Sequence, residues 1–295
     1  MPELPEVETI RRQLAPLVEG RRLARVRILD PRWSRPLAPR ELEDALSGRR
    51  VQRLSRRGKY LVWECSEEVY LLQHLRMTGS VLHAPDPQQS HVSVWIELDR
   101  GGPLAIVDPR RFGTGELALG KEALERFFSS RLGLEPLDER FTAAHLRALA
   151  RGRRAPVKAF LLDQTKIAGV GNIYADEALF RARIHPLRET GTLTPGQVER
   201  LREAIVWALL AGIEARGATI DDFRHVDGVW GSFQDRFQVH RREGEPCSRC
   251  GREIVKLRVA GRGTYVCERC QPRPRALSPP AAARAGRSGS RSASR

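Results

Sequence analysis

The chain opens Met1-Pro2-Glu3-Leu4-Pro5-Glu6, and its second residue carries the most chemistry. A small residue after the initiator methionine allows that methionine to be removed, which exposes Pro2 as a secondary amine next to Glu3. An α-amino group has a pKa of roughly 8, against roughly 10.4 for a lysine, so far more of it is neutral and nucleophilic near pH 7. Such an amine, attacking a sugar or carbonyl carbon, forms a covalent imine and divides one hard step into two easier ones. Spacing also permits a plainer reading, a helix start. Pro5 suits a first turn, and Val7, Ile10, Leu14 and Leu17 recur at helical intervals.

Cysteine spacing supplies a second constellation. Cys247-x2-Cys250 and Cys267-x2-Cys270 place two thiolates on each of two tight turns, the spacing of a closed tetrahedral Zn2+ site with a structural role. Between them, Ile254–Val259 and Thr264–Val266 read as two strands joined by Ala260-Gly261-Arg262-Gly263. This is a zinc ribbon with Arg262 at its tip. A third candidate is Gly169-Val170-Gly171-Asn172, a glycine-flanked entry to a helix over 173–183. Its free N–H groups, with the Asn172 amide, would suit a phosphate.

Positioning these groups takes more than one domain, and 295 residues are enough for two or three. Between 22 and 112 the pattern is short and alternating. Leu23, Val26 and Ile28 form one run, Tyr60–Trp63 and Val69–Leu72 a hairpin, and Val92–Leu98 turns through Asp99-Arg100-Gly101-Gly102 into Leu104–Val107. Such runs predict a sandwich or flattened barrel. Cys65 within it reads as an inert packing residue. From about 121 the period becomes helical. Thr142 is an N-cap before 145–151, a helix runs from Pro156 through Leu162, and Thr194-Pro195-Gly196-Gln197 is a capping box. The box opens a helix of some six turns, striped by Val198, Leu201, Ile205, Leu209 and Ile213 and ending at Gly217.

The net charge of +15 favours a polyanionic partner. Six arginines from Arg273 onward account for part of it and leave +9 on residues 1–272. That last stretch has almost no large apolar side chain and is expected to be disordered. Only five lysines occur among 51 basic residues, which draws attention to Lys59 and Lys158. No run of apolar residues is long enough for a membrane span, and the acidic start lacks the basic and then apolar segments of a secretory signal. A cytoplasmic, nucleoid-associated protein is expected.

Six segments coincide in order with one family. MPELPE, RRGKYL around Lys59, HLRMTG around Met77, DPRRFG at 108–113, GVGNIYADEALF at 169–180 and the ribbon together resemble the bacterial formamidopyrimidine-DNA glycosylases. The resemblance implies an α+β multidomain fold. An N-terminal catalytic β-sandwich domain with flanking helices (1–130) precedes a helix-two-turns-helix DNA-binding domain (131–236), a zinc-finger module (237–272) and the basic tail (273–295). It also implies base-excision repair of oxidised purines in duplex DNA by a monomer with one structural Zn2+ and no nucleotide cofactor. Pro2 would attack the sugar C1′ and form a Schiff base, with β- and δ-elimination to follow. Glu3 would exchange a proton at the sugar, Glu6 would organise the amine, and Lys59 would act in proton transfer and phosphate binding. Arg262 would hold the phosphate next to the lesion.

By the same resemblance, Met77, Arg110 and Phe112 would fill the gap left by the flipped nucleotide, Arg110 facing the orphaned cytosine. His91, Arg154, Lys158 and Asn172 would contact phosphates. Thr219, Ile220, Asp221, Asp222 and Phe223 would close over the damaged base. This chain departs from the usual pattern with Ala218 where a hydroxyl residue is common. Two rivals stand beside this reading, an endonuclease VIII-like glycosylase for oxidised pyrimidines and a noncatalytic damaged-DNA-binding protein. Leu4 and DPRRFG favour the purine enzyme over the first, and Pro2, Glu3 and Lys59 have no purpose in the second.

Overall fold

The computed structural model describes residues 2–219, 226 and 231–274. The expected loop positions 220–223 and the tail from 275 lie outside these residues. Helix α1 (Leu4–Val18) comes first, followed by strands β1 (Leu23–Ile28), β2 (Val51–Arg57), β3 (Tyr60–Cys65), β4 (Val69–His74), β5 (Ser80–His83), β6 (Val92–Leu98), β7 (Leu104–Val107) and β8 (Thr114–Leu119). Helix α2 (Pro39–Leu46) lies between β1 and β2. The strands form two antiparallel four-stranded sheets, in the orders β1-β6-β7-β5 and β2-β3-β4-β8. Leu54, Trp63 and Leu71 meet Val26, Val94 and Ile106 in one buried core, as two inward faces of a sandwich must. Cys65 belongs to that core, and burial pushes its thiol up to about 12, which leaves it inert.

Helices α3 (Lys121–Ser129), α4 (Ala143–Ala150), α5 (Val157–Leu162), α6 (Asn172–Ala182) and α7 (Pro195–Glu214) follow. Thr142 and Thr194 cap α4 and α7 through their hydroxyls, as their positions before the apolar stripes predict. Helices α4 to α7 enclose a second core that includes Phe160, Val170, Tyr174, Leu201 and Leu209. Strands β9 (Val255–Val259) and β10 (Arg262–Val266) form the ribbon, pairing Val259 with Arg262. The turn is therefore Ala260-Gly261, and Arg262 opens the returning strand rather than standing at the tip.

One detail of α1 sets up the site. Val7, Ile10 and Leu14 pack in the sandwich core, whereas Leu4 packs in the helical core. Full burial of such a leucine contributes about 2 kcal/mol. The start of α1 is thus fixed at the seam between the two cores, and Pro2 and Glu3 with it.

Candidate active site

Glu3 is buried, and its carboxylate accepts hydrogen bonds from Ile173 N at 2.9 Å and Tyr174 N at 3.4 Å. It therefore caps α6 from 170 residues away. This narrows the expectation that the α6 N-terminus is open to phosphate, because the Ile173 and Tyr174 N–H groups already serve an internal anion. The glycines before the helix also have different reasons from those expected. Gly169 has φ +92 and its carbonyl accepts from Leu4 N, whereas Gly171 is extended and is needed because a Cβ there would overlap the Glu3 side chain.

Glu6, one turn further on, is equally buried. It accepts from Glu3 N at 2.8 Å, the Tyr174 hydroxyl at 2.7 Å and Ala218 N at 2.7 Å. Burial and the neighbouring Glu3 charge raise its pKa, and the three hydrogen bonds pull against that rise. Glu6 thus binds the chain start to α6 and to the segment that leads into the expected base-covering loop. Ala218 enters this network through its backbone N–H, so no hydroxyl is needed for that contact.

Lys59 lies in the two-residue turn Gly58-Lys59, where Gly58 has φ +59 and Arg57 pairs with Tyr60 across the hairpin. The turn is clamped by one residue of the sheet, Arg56, and one from outside it, Glu135. Arg56 donates to Gly58 O at 2.8 Å and pairs with both carboxylate oxygens of Glu135, and Glu135 Oε1 accepts from Gly58 N at 2.6 Å. Arg56 also reaches Glu8 of α1 at 3.2 Å. Burial lowers the Lys59 pKa, the charges of Glu3 and Glu6 oppose that, and Arg262 adds to it. The same interactions show that groups from α1, the β2–β3 turn and the ribbon share one electrostatic environment.

The ribbon end of that environment is built on a buried ion pair. Lys158 Nζ lies 2.7 Å from Asp176 Oδ1, both side chains wholly buried, and donates to Gly263 O at 3.0 Å and Thr264 Oγ1 at 2.8 Å. Asp176 also meets His240 Nδ1 at 2.8 Å. The Asn172 amide donates to Gly263 O at 3.1 Å. Lys158 is therefore corrected here: wholly buried and committed to Asp176, Gly263 and Thr264, it fixes the backbone next to Arg262, whose own side chain is exposed, instead of facing a phosphate. The half-buried Asn172 holds the same Gly263 carbonyl. Asn172 is also the first residue of α6, with Gly171 at the cap.

The four cysteine sulfurs lie within 4.8 Å of one another, with Cys247 and Cys270 3.9 Å apart and Cys250 and Cys267 3.4 Å apart. Four bonds of about 2.3 Å in a tetrahedron require sulfurs about 3.8 Å apart. The set fits one Zn2+, held by Cys247, Cys250, Cys267 and Cys270.

Met77, His91, Arg110 and Phe112 collect at one end of the sheet β1-β6-β7-β5. Met77 and Phe112 are 37% and 50% exposed, which suits wedges and not strand packing. The Arg110 guanidinium lies 4.9 Å from the Phe112 ring centre. His91 and Arg154 are exposed, His91 with φ +60. Thr219 is buried, takes Gly231 N on its hydroxyl at 2.7 Å and donates its own N–H to Gln234. Sequence reasoning missed Tyr174, Asp176, Arg56 and Glu135. A fully buried Tyr on α6, which requires a partner for its hydroxyl, was the one available signal.

Residues 1–115 match the formamidopyrimidine-DNA glycosylase N-terminal domain, 132–224 its H2TH domain, and 244–273 the zinc finger found in FPG and IleRS. The formamidopyrimidine-DNA glycosylase of Symbiobacterium thermophilum is 46% identical over 98% of this chain and 95% of its own. The MutM (Fpg) protein of Thermus thermophilus superposes with a TM-score of 0.83 at 43% identity, over 92% of this chain and 98% of that one. The Lactococcus lactis Fpg has been solved with abasic-site DNA and with oxidised-pyrimidine DNA. These structures have TM-scores of 0.86 and 0.85 at 37% identity, over 92% of this chain and 100% of theirs. With three domain matches in order and relatives aligned over nearly their whole length, the chain belongs to the formamidopyrimidine-DNA glycosylase family.

Proposed function

We propose that this protein is a bifunctional DNA glycosylase and AP lyase of base-excision repair, acting on 8-oxoguanine and formamidopyrimidines in duplex DNA. The observation that carries the reading is the convergence at the chain start. Glu3, Lys59 and Arg262 come from three separate parts of the chain, the charges of Glu3 and Arg262 both act on the buried Lys59, and Pro2 precedes Glu3 directly in sequence. In the reaction the Pro2 nitrogen bonds to C1′ as the base leaves with the glycosidic electron pair and the amine loses its proton; the nitrogen lone pair then expels O4′, which takes up a proton, and the opened sugar is held as an iminium Schiff base. Glu3 exchanges a proton at the sugar, and Glu6 holds the turn that carries the amine. Lys59, with its pKa lowered by burial, is suited to accept a proton and to meet a phosphate. Successive β- and δ-elimination then nick the strand on both sides. Zn2+ supplies folding stability to the ribbon and takes no part in the chemistry.

Arg262 would hold the phosphate beside the lesion, His91 and Arg154 would contact the backbone further out, and Met77, Arg110 and Phe112 would occupy the vacated stack. Thr219 would belong to the loop over the base, together with Ile220–Phe223. In this reading residues 1–130, 131–236 and 237–272 act as catalytic, DNA-binding and zinc-finger units of a monomer in the cytoplasm, at the nucleoid. Among the described residues no helix is long and apolar enough to cross a membrane. Oxidised pyrimidines are a second substrate class, favoured by the L. lactis complex with such DNA.

Borohydride reduction in the presence of lesion-bearing duplex tests the proposal. A covalent complex is expected with 8-oxoguanine opposite cytosine, with a smaller yield from thymine glycol. Binding without trapping on either duplex would contradict the enzyme and leave a damage-binding protein.

A further inference from the structure

Strand register brings three loops to one place. Ser80 of β5 and Val92 of β6 both pair with Val107 of β7. The residues just beyond these strand ends, 75–79, His91 and 108–113, must therefore meet. Asp108 stands at the meeting point and is 1% exposed. Its Oδ2 accepts from Gly113 N at 2.6 Å, and its Oδ1 accepts from Arg110 N at 3.2 Å and from the Thr78 hydroxyl. The Thr78 oxygen in turn accepts from Arg110 N at 3.3 Å. The backbone N–H of Asp108 donates to His91 O at 3.0 Å.

Asp30, also buried, ties the same 108–113 loop from another side by accepting from Arg111 at 2.9 Å. Asp138 also accepts the N–H two residues on, but its carboxylate pairs only with Arg140 in its own turn, at the surface. Asp108 is buried and reaches through Thr78 into a different loop. That loop carries Met77, while the Asp108 loop carries Arg110 and Phe112. Nothing in the elimination chemistry requires this junction, and the carboxylate touches none of the reacting groups.

We infer that Asp108 and Thr78 are positioning residues that lock Met77, Arg110 and Phe112 into a single wedge and thereby set discrimination by the base opposite the lesion. The inference rests on the proposed glycosylase reading. Thr78 supplies the link between the loops, and Asp108 fixes the Arg110 backbone from which the guanidinium reaches the orphaned base. Loosening the link leaves each side chain in place but lets Arg110 move independently of Met77. Opposite-base selection is then lost more than excision itself.

The test uses the full-length, zinc-loaded protein and two readouts. One is the ratio of excision opposite cytosine to excision opposite adenine. The other is the fluorescence of 2-aminopurine opposite a stable abasic analogue, which reports the wedge without catalysis. Thr78→Val is expected to lower the ratio about tenfold, the scale of one charge-assisted hydrogen bond. It should also reduce the fluorescence response, and Thr78→Ser should restore both. In an Arg110→Ala background Thr78→Val should lower the ratio no further. An unchanged ratio and response in Thr78→Val would overturn the inference, as would the same loss with and without Arg110. Failure of the wild type to be trapped by borohydride would defeat the glycosylase reading instead, and the fluorescence arm would then decide the wedge alone.

Discussion

The turn that carries Lys59 and the turn that leads into Arg262 solve one problem by different means. Each cation stands next to a glycine, Gly58 before Lys59 and Gly263 after Arg262, and each glycine is held by an ion pair with at least one partner from elsewhere in the chain. At Gly58 the pair is Arg56–Glu135, 9% and 19% exposed, on a hairpin already fixed by its strands. At Gly263 the pair is Lys158–Asp176, with no exposure, on a two-stranded ribbon that has little core of its own. A four-stranded sheet gives its turn a position in advance. The ribbon has to borrow one, from Zn2+ at its base and from α5 and α6 at its side.

Removing the metal should break the comparison most completely. Cys267→Ser, or chelation, is expected to unfold the ribbon and abolish incision while the sandwich stays folded, because structural zinc supplies about 10 kcal/mol or more to such modules. Metal analysis beside strand nicking checks this, and full activity without zinc would sever Arg262 from the mechanism. Next in size is the buried pair. Asp176→Asn leaves the Lys158 charge without its counter-ion and should cost about 3–5 kcal/mol in denaturant unfolding. Glu135→Gln, at the partly solvated pair, should cost no more than about half as much. Equal costs would mean that the two turns are supported alike.

The smallest effect sharpens the Lys59 side. His74 ends the strand beside Tyr60 and its Nδ1 accepts from Arg76 N at 2.9 Å. Burial first, then the charges of Arg76 and Lys59, lower its pKa from 6.5 to about 3. A histidine with a depressed folded pKa contributes stability in full above 6.5, and that contribution is lost as pH falls toward 3. The loss is about 2 kcal/mol between pH 7 and pH 5. His74→Gln should flatten that part of the stability profile, read from melting temperature against pH.

What could be read in the sequence follows the physics of each element. Strands β1, β3, β4, β6 and β7 were legible; the last four are interior strands with continuous or alternating apolar faces, and β1, at an edge, still buries Leu23, Val26 and Ile28. Strands β2, β5 and β8 were not. Each lies at a sheet edge, and β2 in particular, Val51-Gln52-Arg53-Leu54-Ser55-Arg56-Arg57, buries only two residues. Helix α2 escaped notice because it has no side-chain cap and buries only Leu42 and Leu46. The zinc ligands were legible because metal geometry fixes their spacing. The Glu3 cap on α6, the Lys158 strut and the Glu135 clamp were not, since each joins residues distant in sequence through tertiary packing alone. Residue type announced a cation at 158, but only the fold determines whether it faces phosphate or a carbonyl.

The account depends most on which atom bonds to the sugar. Peptide mapping by mass spectrometry of the borohydride-reduced complex measures that directly. The deoxyribose adduct is expected on the nitrogen of Pro2, in a chain that has lost Met1. An adduct on Lys59, or an active enzyme that still carries its first methionine, would contradict it.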